Sequence, residues 1–434
     1  MERVWLLGWS KWEIKKEDTV GYILFQYLNI NTTRIPTKYI TQHRQELGHN
    51  LRERERERER KMATEVNRKV SAASAGAHSK KPNKKSSFPS GFLRTTLYVL
   101  LIGFAVRAYQ ALRPPPPKIC GSPDGPPVTA PRIKLRDGRN LAYQEHGVLK
   151  DAAKYKIISI LGFDSCRLDE VVAKTLSPDV VEEFRIYTVS FDRPGYGESD
   201  PNPNLSVKSM ALDIEELADK LELGSKFYII GYSLGGMITW GCLKYIPHRL
   251  AGAVLLAPAV NYWWSGLPSN LSNEAFHEQK IRDQWTYRIA HYTPWLTHWW
   301  NTQQWFPSSS LIAQSPEMLS LQDIQLIPKL SDRESYEAHI RQQGEYVSVH
   351  RDLNFIFHNW EFSPLDLENP FPNNEGSVHI WQGSDDLMVA TKLQPYIAKK
   401  LPWIHYHELS GAGHMFPYAD GMSDIIIKSL LHGK

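Results

Sequence analysis

Cysteine is scarce in this 434-residue chain, with only Cys120, Cys166 and Cys242 present. Their wide spacing matches no metal motif, and an odd number leaves at least one thiol outside any internal disulfide. There is no Gly-rich phosphate loop and no His/Cys cluster, so no cofactor and no metal are expected. Nor is there an uncharged apolar run long enough to cross a bilayer around Arg94 and Arg107, which only 12 residues separate, where about 20 are needed. The main body also lacks a cationic surplus: residues 121–434 carry 28 Lys and Arg against 37 Asp and Glu. The basic excess lies ahead of it, 10 against 1 in residues 62–120, with 13 against 9 in residues 1–61. Nucleic acid is therefore not an expected partner.

Arg and Glu alternate strictly over Arg52–Arg60. An AGAGAG repeat encodes that pattern, and Met62 follows at once. Residues 1–61 are thus expected to be translated leader or a dispensable extension. Residues 62–91 form a basic Ala/Ser/Lys-rich segment containing "KKPNKK". Next, Phe92–Leu112 reads "FLRTTLYVLLIGFAVRAYQAL" and reaches spanning length if Arg94 and Arg107 snorkel. Three readings stay open here: a single-pass anchor in the endomembrane system, a chloroplast or mitochondrial targeting segment, and an interfacial helix. The lysines before the span favour a cytosolic amino terminus, while Arg107, Arg113 and Lys118 beyond it oppose that. Residues 113–129, opening on Pro114–Pro117, are a stiff linker. Asn204 and Asn270 each open an N-L-S sequon, a triplet too common by chance to weigh.

From residue 130 the pattern becomes regular. Asp137-Gly138 joins two alternating runs as a hairpin turn does. "YKIISIL" (155–161), "FRIYTVSFD", "KFYIIG" and "LAGAVLLAP" (250–258) read as buried strands, with helical spacing between them. Such alternation predicts an α/β fold with a mostly parallel sheet flanked by helices. The first part of this core runs over 130–260. Alternation then stops, and residues 261–376 hold no strand pattern but eight of the 14 tryptophans. A helical lid over an apolar pocket is expected there. The core resumes over 377–434, with "GSVHIWQG", a helix, "WIHYHEL" and a terminal helix.

Chemistry enters at "GYSLGG" (231–236), between a strand and a helix. Gly231 and Gly235 flank Ser233 by two residues on each side. A strained elbow needs this, because side chains there would strike the neighbouring strand and helix. Such a turn lifts the Ser233 hydroxyl clear of the sheet and leaves the Leu234 N–H free. A serine nucleophile needs a base and an acid to orient it. "WQGSDDLMV" offers Asp385 and Asp386 after a strand, and "LSGAGHMF" offers His414 after the last one.

The chain order Ser233, Asp386, His414 resembles the α/β-hydrolase superfamily, as does "FDRPGYGESD" (191–200). The resemblance spans roughly 130–434, and is closest to plant α/β-hydrolases with a membrane segment before the catalytic domain. It implies the α/β-hydrolase fold with a helical lid before the last two strands. It also implies Asp386 rather than Asp385 as the acid, three residues after Gly383. The oxyanion hole would combine the N–H groups of Leu234 and Phe163. The family usually places His-Gly before the latter donor; here Leu161-Gly162-Phe163 stands, so Leu161 departs from the pattern. His146-Gly147 looks similar but ends a hairpin strand. The implied activity is ester hydrolysis through an acyl-enzyme on an apolar small-molecule ester, with the membrane as partner through the amino-terminal segment. Two other readings share the fold: a non-hydrolytic ligand receptor, and an acyltransferase that passes the acyl group to an alcohol.

Overall fold

The structure is a computed structural model that describes residues 90–432. The expectations placed on residues 1–61 and on 62–89 lie outside them. Its first element is a helix, Ser90–Leu112. Leu97, Val99, Leu101 and Phe104 on it are all exposed, as are Tyr98, Leu100 and Ile102. Six consecutive apolar residues advance about 100° each, so this helix is apolar on every side rather than along one stripe. Arg94–Leu112 is the one helix among the described residues long and apolar enough to cross a membrane, with a mean hydropathy of 1.3.

The expected linker 113–129 divides in two. From Lys118 onward it lies on the body: the Lys118 N–H donates to the Gln343 carbonyl at 2.9 Å. Glu198 then accepts the N–H groups of Thr129 (2.7 Å) and Ala130 (2.9 Å). Only the short run holding the four prolines separates the apolar helix from this docked segment.

Eight strands form one sheet: β1 Arg132–Lys134, β2 Asn140–Gly147, β3 Tyr155–Ile160, β4 Ile186–Phe191, β5 Phe227–Tyr232, β6 Leu250–Leu256, β7 Val378–Gly383 and β8 Ile404–Leu409. Their spatial order is β1-β2-β4-β3-β5-β6-β7-β8. The first two pairings are antiparallel and the rest parallel. Side chains alternate between two apolar layers, as a strand period of two requires. Ile158, Ile160 and Ile229 enter one layer, while Ile157, Ile230 and Leu256 enter the other. Helices cover both faces. The helix Val207–Lys220 starts at Ser206, whose hydroxyl accepts the Ser209 N–H at 3.1 Å, a capping contact.

Between β3 and β4, the helically spaced run "RLDEVVAKTL" (167–176) does not form one helix. Arg167–Asp169 forms a 3₁₀ turn and Val171–Thr175 a short α-helix, because Glu170 between them caps the second piece and also accepts the Ser159 hydroxyl at 2.8 Å. Between β6 and β7 the chain makes helices Ser269–His277, Ile281–Tyr292, Thr297–Thr302, Leu321–Leu326, Glu337–Ile340 and Arg351–Phe357. The last of these is tied to the body: Arg193 pairs with Asp352 at 2.6 Å, and the Tyr196 hydroxyl donates to the same carboxylate at 2.6 Å. All three side chains are buried.

Candidate active site

Ser233 sits between β5 and the buried helix Leu234–Tyr245 at φ 56°, ψ −116°. A non-glycine residue in that region is strained, and packing on all sides holds it there. A Cβ at Gly231 would fall on the Gly235 carbonyl and the Thr239 hydroxyl; one at Gly235 would fall on the Ile160 carbonyl. Close approach of β3, β5 and the helix is therefore what demands glycine on either side. Ser233's own N–H donates to the Leu256 carbonyl at 2.8 Å, fixing the turn against β6.

His414 follows β8 and is almost fully buried. Its Nδ1 lies 2.7 Å from Asp386 Oδ2. That carboxylate also accepts Gln382 Nε2 at 3.0 Å, and through Oδ1 the Met388 N–H (2.8 Å) and the Val389 N–H (3.1 Å). Asp385 points elsewhere, is exposed, and takes only the Ser384 hydroxyl. Burial alone would push the imidazole pKa down. The Asp386 charge and hydrogen bond, helped by the Asp323 charge, outweigh this and hold it above its ordinary value of 6.5. The Tyr232 ring stacks obliquely on the imidazole at 5.2 Å, and its hydroxyl donates to the His414 carbonyl at 3.2 Å. Ser233 and His414 line one cavity, but among the described residues no hydrogen bond joins their side chains.

Gly162 and Phe163, after β3, line the same cavity beside Ser233 and Leu234. Leu161 is buried. What props this loop is Arg193, whose Nη2 donates to the Gly162 carbonyl at 2.7 Å while its other contacts hold Asp352. Nothing in the sequence marks Arg193 for this task; it stands in "FDRPGYG" as an ordinary loop cation. Asp192 beside it is architectural, accepting the Arg167 and Glu198 N–H groups. Gly195 and Gly197 take φ values of 88° and 47° in the same loop. His146 lies on β2, 3.2 Å from the Ser190 hydroxyl. The three thiols are buried, and burial raises each well above a thiol's ordinary range, that of Cys120 to about 11. Such thiols are poor nucleophiles.

The cavity holds about 330 Å³. From the insert it takes Leu311, Met318, Leu319, Ile327, Ile356 and Phe357. None of the tryptophans lines it. Those rings pack within the insert or face solvent, with Trp285, Trp295 and Trp305 exposed by 52%, 64% and 78%. Arg333 closes the polar end, bonded to Asp169 at 2.8 Å and to the Asp164 carbonyl at 2.6 Å.

Residues 168–424 match the model of the alpha/beta hydrolase family, more than half the chain, and the chain belongs to that family. Over 130 residues it is 28% identical to the pimeloyl-[acyl-carrier protein] methyl ester esterase of Sodalis glossinidius. That stretch is 29% of this chain and spans about half, 47%, of the relative's length. Among solved structures, the enol-lactonase of Burkholderia xenovorans is similar at TM-score 0.47 and 15% identity, over 69% of this chain and 97% of that one. An esterase of Exiguobacterium antarcticum is similar at 0.46 and 14%, over 69% and 98%.

Proposed function

We propose that the protein is a serine hydrolase that cleaves carboxylic esters of apolar acids through Ser233, His414 and Asp386. The 2.7 Å bond between His414 and Asp386, at the cavity that Ser233 lines, is the observation that carries the reading. Asp386 fixes the ring with Nδ1 as the protonated nitrogen, which leaves Nε2 free as base. His414 takes the Ser233 proton as the hydroxyl attacks the ester carbonyl. The Phe163 and Leu234 N–H groups receive the developing oxyanion, His414 returns the proton to the leaving alcohol, and an activated water releases the acid. The Ser233–His414 hydrogen bond forms as substrate settles, since such bonds are often long without ligand. An apolar lining from Leu311 to Phe357 favours an acyl chain over a small polar group.

The helix Ser90–Leu112 serves as a single-pass membrane anchor in this reading. Being apolar on every side supports a span over a helix lying in the interface, which needs one polar face.

Ser233→Ala is expected to keep its fold and to lose hydrolysis of p-nitrophenyl esters to below about one part in a thousand. Fluorophosphonate labelling of the unsubstituted protein, mapped by peptide analysis, is expected at Ser233. Labelling elsewhere, or hydrolysis that survives the substitution, overturns the assignment. Acetate outrunning butyrate and octanoate overturns the apolar acyl preference alone.

A further inference from the structure

The lid helix Leu321–Leu326 touches the His414 loop through its own side chains. Gln322 Oε1 accepts the Gly413 N–H at 2.6 Å, and Asp323 Oδ1 accepts the Met415 N–H at 2.7 Å. The two backbone donors that flank His414 are thus both held by one six-residue helix of the insert. Asp323 is fully buried. Its other oxygen, Oδ2, accepts the Ser320 N–H and hydroxyl, each at 2.9 Å, while the Ser320 hydroxyl accepts the Asp323 N–H at 3.2 Å. One carboxylate oxygen therefore starts the lid helix, and the second grips the histidine loop. A cap alone would leave Oδ1 free for water. A Cβ on Gly413 would strike the Ser320 hydroxyl and the Asp323 carboxylate, so the loop and the lid helix meet backbone to side chain with no room between.

We propose that Gln322 and Asp323 are positioning residues for His414, so that proton transfer at Ser233 requires this part of the lid to be closed on the histidine loop. The proposal rests on the Ser233–His414–Asp386 reading. Its physical content is local. The Tyr232 hydroxyl holds the His414 carbonyl from below, and Asp386 holds Nδ1. Without the lid contacts, the backbone on both sides of His414 loses its donors' partners and the ring can swing about those two points. Displacement of a base by about 1 Å costs on the order of 100-fold in rate.

The charges facing His414 are Asp386 from the loop after β7 and Asp323 from the lid. Beside them lie Tyr232 and Tyr418, with Arg333 acting on both of these rings. Asp323 is thus the one lid anion whose removal lowers the imidazole's proton affinity.

The test uses the full-length protein in detergent with p-nitrophenyl butyrate. Gln322, only half-buried, is replaced first. Gln322→Met is expected to lower kcat about 10- to 100-fold, with KM within about twofold and an unchanged melting temperature. Gln322→Glu keeps an acceptor for the Gly413 N–H and is expected to retain most of kcat. Asp323→Asn is expected to lower kcat and also to move the acidic limb of kcat/KM to lower pH, a shift that a merely structural role would not produce. Unchanged kcat in Gln322→Met, or an unmoved acidic limb in Asp323→Asn, overturns the proposal. Fluorophosphonate labelling separates the two readings. If the unsubstituted protein is not labelled at Ser233, the function fails; if it is labelled there and Gln322→Met is labelled as fast, only the positioning role fails.

Discussion

Asp385 and Asp386 are neighbours in the chain, yet the two carboxylates have unlike surroundings. Asp386 has both oxygens occupied, by His414, Gln382 and two backbone N–H groups, whereas Asp385 faces solvent. Under the proposed mechanism, Asp386→Asn lowers kcat by at least about 1,000-fold by misorienting the imidazole, while Asp385→Asn stays within about threefold. Steady-state rates on one ester check the pair, and the reverse order would move the acid to Asp385. The pH profile follows from the same bond. His414 must be neutral to act as base, and its pKa is raised above 6.5 by Asp386 and Asp323 against the effect of burial. A raised pKa keeps the proton on to higher pH, so activity falls away from a point above pH 6.5 as the solution is acidified. An acidic limb well below 6.5 in kcat/KM would contradict this.

At the scale of elements, the elbow is where helix propensity and packing disagree. Gly235 is the second residue of the helix Leu234–Tyr245, and alanine at a helical glycine ordinarily gains about 0.5–1 kcal/mol. Here the added methyl would meet the Ile160 carbonyl of β3. Overpacking of that kind costs about 1–3 kcal/mol. Gly235→Ala is therefore expected to destabilise, and to shift the β3 end that carries Gly162 and Phe163. Urea unfolding checks the sign, and a more stable variant would show that the helix has room. In the insert, the rings of Tyr262, Tyr287 and Phe357 share the cavity wall with aliphatic and thioether groups, while Trp285, Trp295 and Trp305 stand exposed.

For the molecule as a whole, the position of the docked segment 118–130 sets where the body begins. Glu198 is buried and accepts Thr129 and Ala130 as well as Arg167. Removing residues 1–113 takes away the apolar helix and leaves these contacts whole, so that chain is expected to be soluble without detergent and fully active. Removing residues 1–130 strips Glu198 of its backbone donors, a loss of about 1–3 kcal/mol, or roughly 2–8 °C in melting temperature. Calorimetry of the two truncations checks the difference. Equal stability would mean that the segment contributes nothing, and a protein lacking residues 1–113 that still needs detergent would remove the anchor from the proposal.

Much of this was legible in the chain itself. Strand–helix alternation carries the layered α/β sheet, because buried parallel strands must read as apolar runs and their covering helices as periodic ones. Glycines around Ser233 and a histidine after the last strand are legible for the same local reason: strand ends and tight turns restrict which residues fit. That Asp386 and not Asp385 meets His414 agrees with what the resemblance implied, and the contact turns on one side-chain direction after β7. Only the fold could decide the rest. Arg193 under Gly162, and Gln322 and Asp323 around His414, are contacts between segments 31 and 91–92 residues apart. Ser320 and Asp323 read locally as a helix cap, and they are one. No local pattern records that the cap's second oxygen points at the histidine loop, since that depends on where the sheet's carboxyl edge brings two distant parts of the chain together.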